Sequence, residues 1–177
     1  MRTEQLRREY GLSLHHTAFP LHPDIPEGGV ELADLFAGRG IDLAASFARL
    51  RTVADEVGLP LGERARTFNS RRAQELGKWA EEKGRGEVFR AAVYRAYFVA
   101  GCNIARPEEL VEIASEISLD KDEALQVLRE RRYAQATDAD WQRARQLGIN
   151  AVPTFLYQQR TLVGFTPYKE MCRLIDG

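Results

Sequence analysis

Gly148-Ile149-Asn150-Ala151-Val152-Pro153-Thr154-Phe155-Leu156-Tyr157 leads from a helical pattern through a constrained Val-Pro bond into a β-rich run, and its reading decides the fold. Upstream, Asp138 to Leu147 places Trp141, Ala144 and Leu147 at helical spacing, and Gly148 stands where a left-handed C-terminal stop belongs. Downstream, Phe155-Leu156-Tyr157 reads as a short buried strand, Gln158-Gln159 as a tight connection and Thr161-Leu162-Val163 as the return strand. Thr166 is placed to cap a last helix, with Pro167 at its first position, where a missing N–H costs nothing. The order is helix, Val-Pro, hairpin, helix.

A chain of 177 residues that is 44% hydrophobic can bury one sizeable core, or one core with a large insertion. Lys+Arg 25 against Asp+Glu 26 gives a net charge of -1, which supplies no broad drive toward nucleic acid or an anionic membrane. No run approaches the roughly 18 apolar residues of a membrane span, and Met1-Arg2-Thr3-Glu4-Gln5-Leu6-Arg7-Arg8 lacks the apolar core of a secretory signal, so a cytoplasmic protein is expected. Cys102 and Cys172, the only cysteines, form neither a C-x-x-C motif nor a disulfide framework.

From the N-terminus, Thr3 to Tyr10 reads as the last turns of a helix ending at Gly11. Leu12 to Phe19 alternates like a strand, and Pro20, Pro23 and Pro26 then enforce an extended loop. Val30 to Ala37 reads as a short helix. Asp42 caps a longer one through Val57, with Leu43, Phe47, Leu50, Val53 and Val57 recurring on it. Further helices are expected from Thr67 to Lys83, from about Val88 to Ala100 as the centre of a helical subdomain, from Pro107 to Ile117, and from the Asp120-x-x-Glu123 capping box onward.

These pieces resemble the DsbA family of thioredoxin-fold proteins, in which a Gly-Ile-x-Gly/Ala-Val-Pro-Thr-Phe segment carries a cis-proline facing the redox site. Phe19-Pro20-Leu21-His22-Pro23-Asp24-Ile25-Pro26-Glu27-Gly28-Gly29 is similar to the loop of the FrnE-type branch, with Pro20 and His22 in place of its usual Glu and Asn. Phe68-Asn69-Ser70, Tyr97-Phe98-x-x-Gly101-x-Asn103-Ile104 and Pro107-Glu108-Glu109-Leu110 resemble that branch too, in the right order. The resemblance implies an α/β thioredoxin-like fold with a large helical insertion: residues 1–29 and 137–177 form the thioredoxin-like part and 30–136 the insertion. In the family a central first strand and a Cys-Pro-x-Cys-type pair precede the stretch that opens this chain. The reading therefore expects a truncated or catalytically incomplete form, with two exposed strand edges and an apolar gap.

The resemblance further implies thiol–disulfide oxidoreductase chemistry, with Ala151, Val152 and Pro153 holding an extended substrate and no catalytic residue within this chain. The partners implied are a thiol- or disulfide-containing protein, a peptide or glutathione, with a homodimer among the arrangements left open and no cofactor. Two other readings stand beside it: a glutathione-dependent isomerase or transferase of the 2-hydroxychromene-2-carboxylate isomerase and kappa-class type, and a non-catalytic peptide-binding or chaperone-like module. Gly164-Phe165-Thr166-Pro167-Tyr168 is closer to the Gly-Ala-Gln-Pro of the DsbA side than to the Gly-x-Asp-Arg of the isomerases. Cys102 and Cys172 read as small buried hydrophobes, and His15, His16 and His22 lack the companions a metal needs. Arg64, Arg66, Arg71 and Arg72 read as a solvated basic surface, and Trp79 and Trp141 as packing residues.

Overall fold

The computed structural model describes residues 2–177, which group into two compact units: the chain up to Leu21 together with Asp138–Gly177, and His22–Thr137.

The first unit opens with helix α1 (Arg2–Tyr10), whose single fully buried residue is Leu6. Gly11 ends it at a φ of +63°, a conformation that costs a residue with a side chain 1–2 kcal/mol or so. Leu12 to Phe19 then forms no strand. An alternating sequence becomes a strand only where a second strand takes its backbone groups. Among the described residues of this unit β3 (Thr154–Tyr157) and β4 (Arg160–Val163) pair with each other alone. The hairpin is antiparallel, with Thr154 opposite Val163 and Tyr157 opposite Arg160, and Gln158 turns it at a φ of +56°.

Before the hairpin, helix α8 (Ala134–Gln146) closes as expected at Gly148, with Ile149 N–H donating to the Ala144 carbonyl at 3.0 Å. It starts four residues earlier than its periodicity suggested. After the hairpin, helix α9 (Tyr168–Asp176) begins one residue later than expected, so Pro167 is the capping residue itself. Thr166 does not cap: its hydroxyl is buried without a hydrogen-bond partner among the described residues, while its carbonyl accepts from Arg2 Nη1 at 2.8 Å. Arg2 also lies 4.2 Å from the centre of the Phe165 ring, fastening α1 to the entry of α9.

In the second unit, the segment expected as a helix from Val30 splits into a two-residue strand β1 (Val30–Glu31) and a single helical turn α2 (Leu32–Leu35). β1 pairs antiparallel with β2 (Arg66–Thr67), which removes Thr67 from the helix expected to start there. Gly29 makes that pairing fit: its φ is +74°, and a Cβ there would collide with the Phe68 ring and the Thr67 carbonyl. Helix α3 (Leu43–Glu56) is capped as expected by Asp42, whose carboxylate accepts from Ala45 N–H at 2.9 Å. It buries only Ala54 fully, leaving Leu50 and Val57 exposed.

The core of this unit is centred on helix α4 (Arg71–Glu82), not on the helix after it. Leu76, Trp79 and Ala80 of α4 pack with Phe89 of α5 (Gly86–Tyr94), Leu110 and Ala114 of α6 (Pro107–Glu116) and Val127 and Leu128 of α7 (Lys121–Glu130). Helix α5 gives way to a π-helical turn over Arg95–Val99, and Ala100 is exposed. Gly62 N–H donates to the Phe98 carbonyl at 2.8 Å, a second strand of chain held against that turn.

Candidate functional site

Ala151, Val152 and Pro153 form the bend between α8 and β3, and the Val152–Pro153 peptide bond is cis. The bend is fixed from both sides. Thr154 Oγ1 donates to the Ala151 carbonyl at 2.7 Å, and Gly164 N–H donates to the Pro153 carbonyl at 2.7 Å, locking the bend to the far end of β4. Between these two engaged carbonyls, the backbone N–H and C=O of Val152 carry no hydrogen bond among the described residues, and the residue is 45% exposed. Peptide groups of this kind are obligatory hydrogen-bonding groups, and none of the described residues supplies partners for this pair.

Val152 and Pro153 also border a cavity of about 580 Å³ within the first unit, lined by Leu6, Leu12, Ile149, Phe155 and Leu174 among others. β3 forms part of its wall, and among the described residues no strand pairs with the edge of β3 away from β4. The Leu12–Phe19 run lines the cavity as well; its Ala18 N–H donates to Asp140 Oδ2 at 2.8 Å.

Cys102 lacks the surroundings of a reactive thiolate. Both cysteines are free; Cys102 belongs to the second unit and Cys172, on α9, to the first. Burial, with the Glu109 and Glu116 carboxylates, pushes the Cys102 thiol above its ordinary pKa, which suppresses the nucleophilic form. Cys172 sits beside two phenols. Its hydrogen bond, followed by burial and Asp176, raises the pKa of Tyr10; burial, followed by Glu9 and Cys172, raises that of Tyr168.

The other candidates resolve into supports. Arg64 lies over the Tyr97 and Phe98 rings, at 4.4 and 5.0 Å from their centres. Arg66 bonds Glu31 and the carbonyls of Gly28 and Gly29, and Arg72 bonds Glu27 and the Ala105 carbonyl. Arg71 reaches Glu75 and the Ala134 carbonyl. The basic cluster is thus a set of clamps, solvent-exposed at Arg66 as expected, in which each guanidinium finds ring faces, carboxylates or carbonyls that the linear spacing did not reveal. Trp79 is fully buried and donates from Nε1 to Glu123 Oε1 at 3.1 Å. His22 meets the Phe36 ring edge-on, while His15 and His16 line the first unit's cavity. No group of three or more His, Cys, Asp or Glu side chains converges among the described residues.

The loop Phe19–Gly29 owes its shape to two asparagines. Asn69 Nδ2 donates to the Pro23 and Ile25 carbonyls, each at 2.8 Å, while its Oδ1 accepts from Arg71 N–H at the start of α4. Asn103 Nδ2 donates to the Glu27 carbonyl at 2.9 Å. Sequence reasoning missed Arg143, an exposed cation lining the cavity. Nothing in the α8 pattern distinguishes it from any other outward arginine.

A family model described as a DSBA-like thioredoxin domain matches residues 1–176. Among solved structures, a probable DsbA oxidoreductase from Streptomyces coelicolor aligns at a TM-score of 0.86 with 26% identity, covering 99% of this chain and 81% of its own. A 2-hydroxychromene-2-carboxylate isomerase aligns at 0.68 with 20% identity, covering 99% of this chain and 84% of its own. A candidate protein disulfide isomerase from Nitrosomonas europaea aligns at 0.67 with 18% identity, covering 99% and 86%. No curated protein matches the sequence.

Proposed function

Because this chain belongs to the DSBA-like thioredoxin domain family, with an α/β fold carrying a helical insertion, we propose that it acts on thiol- or disulfide-containing polypeptides. In this reading Ala151, Val152 and Pro153 hold the substrate, and the residues present supply no dithiol of their own. The observation that carries it is the bend itself: an exposed Val152 with unused backbone groups, fixed between the engaged carbonyls of Ala151 and Pro153. A substrate strand laid along Val152 exchanges main-chain hydrogen bonds with it, while the neighbouring exposed apolar surface takes its side chains. Glutathione, a short peptide with the same backbone groups, fits the same description.

The cysteine surroundings support the second half of the proposal. Thiol–disulfide exchange needs a thiolate to attack one sulfur and a second thiol to resolve the mixed disulfide. Cys102 has a raised pKa, and Cys172 has no partner cysteine in its unit. Two free thiols suit the reducing cytoplasm, which is the setting we assign. Asn69 and Asn103, which fasten the Phe19–Gly29 loop, favour the FrnE-type branch, since they stand in two of the segments that resemble it.

Insulin reduction with dithiothreitol tests the reading. The purified chain is expected to leave the rate at background while binding reduced insulin B chain; turnover abolished by Cys172→Ser would place the chemistry in this chain and overturn it. Glutathione-dependent isomerisation of an aromatic substrate, without polypeptide binding, would instead point to the isomerase class.

A further inference from the structure

We infer that helix α3 is a self-association surface, on which a second copy of this chain docks its own α3 in the antiparallel sense. The claim is independent of the redox reading and of the cavity beside β3, since no α3 residue lines that cavity. At 3.6 residues per turn, Leu43, Phe47 and Ala54 share one strip of the helix. That strip faces inward: Ala54 is buried, and Leu43 and Phe47 are half-buried. Beside it runs a second apolar strip. Leu50 and the capping residue Val57, seven positions apart, are 46% and 38% exposed, and Val53 continues their strip half-buried.

Charge decides what covers this flank. Arg49 and Glu56 immediately precede Leu50 and Val57, on the solvent side of the strip, and both are exposed. Neither makes an ion pair among the described residues, whereas Arg51 is engaged by Glu63 at 3.3 Å. Arg49 and Glu56 stand two turns apart, about 10.5 Å along the axis, too far to satisfy each other. An antiparallel copy brings Arg49 of each chain to Glu56 of the other, so one two-fold axis makes both pairs at once. The same register sets Leu50 beside Val53 of the second copy, and Val57 beside its small Ser46. A parallel copy would set the two charges against Phe47 and Ala54, which offer no counter-charge. The pattern is complementary to its own reverse, which singles out a second copy over an unrelated protein. Two helices of 14 residues, each about 21 Å long, bury less than the roughly 1,200 Å² of a standard stable interface. The dimer is therefore weak and exchanges with monomer.

Sedimentation equilibrium of the full chain in dithiothreitol, which removes disulfide-linked dimers, reads the association. A monomer–dimer equilibrium is expected. Arg49→Glu and Glu56→Arg each oppose like charges at both pairs, and each should raise the dissociation constant about tenfold. The double variant Arg49→Glu/Glu56→Arg should restore the wild-type value. Leu50→Asp should abolish association. All three positions are exposed, so the circular dichroism of every variant is expected to match the wild type; the charge variants decide the matter should Leu50→Asp misfold. A chain that stays monomeric at every concentration would overturn the inference. So would a dimer indifferent to the single reversals, or one that the double variant fails to restore.

Discussion

Glu75 is 1% exposed, yet its carboxylate stays charged because Arg131 holds both its oxygens, at 2.7 and 2.6 Å, and Arg71 Nε holds Oε1. Burial alone would raise its pKa. The hydrogen bonds and charges of Arg131 and Arg71 outweigh that and hold it below the ordinary carboxylate range. A lowered folded-state pKa means stability that is fully present above the unfolded value of about 4.3 and is lost as pH falls through the folded value. Glu75→Gln is therefore expected to cost about 3 kcal/mol in urea denaturation at neutral pH, and to flatten the acid limb of the stability profile. An unchanged acid limb would show that the triad is not its source. Cys102 makes the opposite case: its raised pKa predicts slower alkylation by iodoacetamide than an unhindered cysteine near neutral pH, read by mass spectrometry. The cysteine could be seen in the sequence, but its shift could not, since its burial and the approach of Glu109 and Glu116 arise only through the fold.

At the scale of the element, what was legible was local. Asp120 accepts from Glu123 N–H at 2.7 Å as its capping-box spacing implies, and Asp120→Ala is expected to cost about 1 kcal/mol, measurable as a lower denaturation midpoint with unchanged slope. Gly148 and the β3–β4 hairpin were equally plain, because a stop, a turn and a return strand lie within a few residues of one another. Leu12 to Phe19 was not, since strand formation depends on a partner that no alternating pattern contains. The same limit hid the clamps of Arg64, Arg66, Arg71 and Arg72, and the primacy of α4. Periodicity marked α5 as strongly apolar, but centrality follows from what α4 touches on either side. Asn69→Ala, which frees the Pro23 and Ile25 carbonyls and uncaps the start of α4, should raise amide exchange in the Phe19–Gly29 loop selectively.

At the scale of the whole molecule, family membership was readable in the order of short segments spread over nearly the full length, each marking a backbone event that a thioredoxin-like chain repeats. The bend at Ala151, Val152 and Pro153 was readable for the same reason. The cavity's cationic lining was not, because residues as distant in sequence as Arg7 and Arg143 contribute to it. No helix is long and apolar enough to cross a membrane among the described residues. The proposed function requires Val152 to hold a polypeptide without help from either thiol. Titration of labelled reduced insulin B chain into the wild type, Val152→Asp and the double variant Cys102→Ser/Cys172→Ser, followed by anisotropy, tests it most directly. Binding weakened about tenfold in Val152→Asp and unchanged in the double serine variant is the expected result. Binding that survives Val152→Asp and vanishes with the thiols would contradict it.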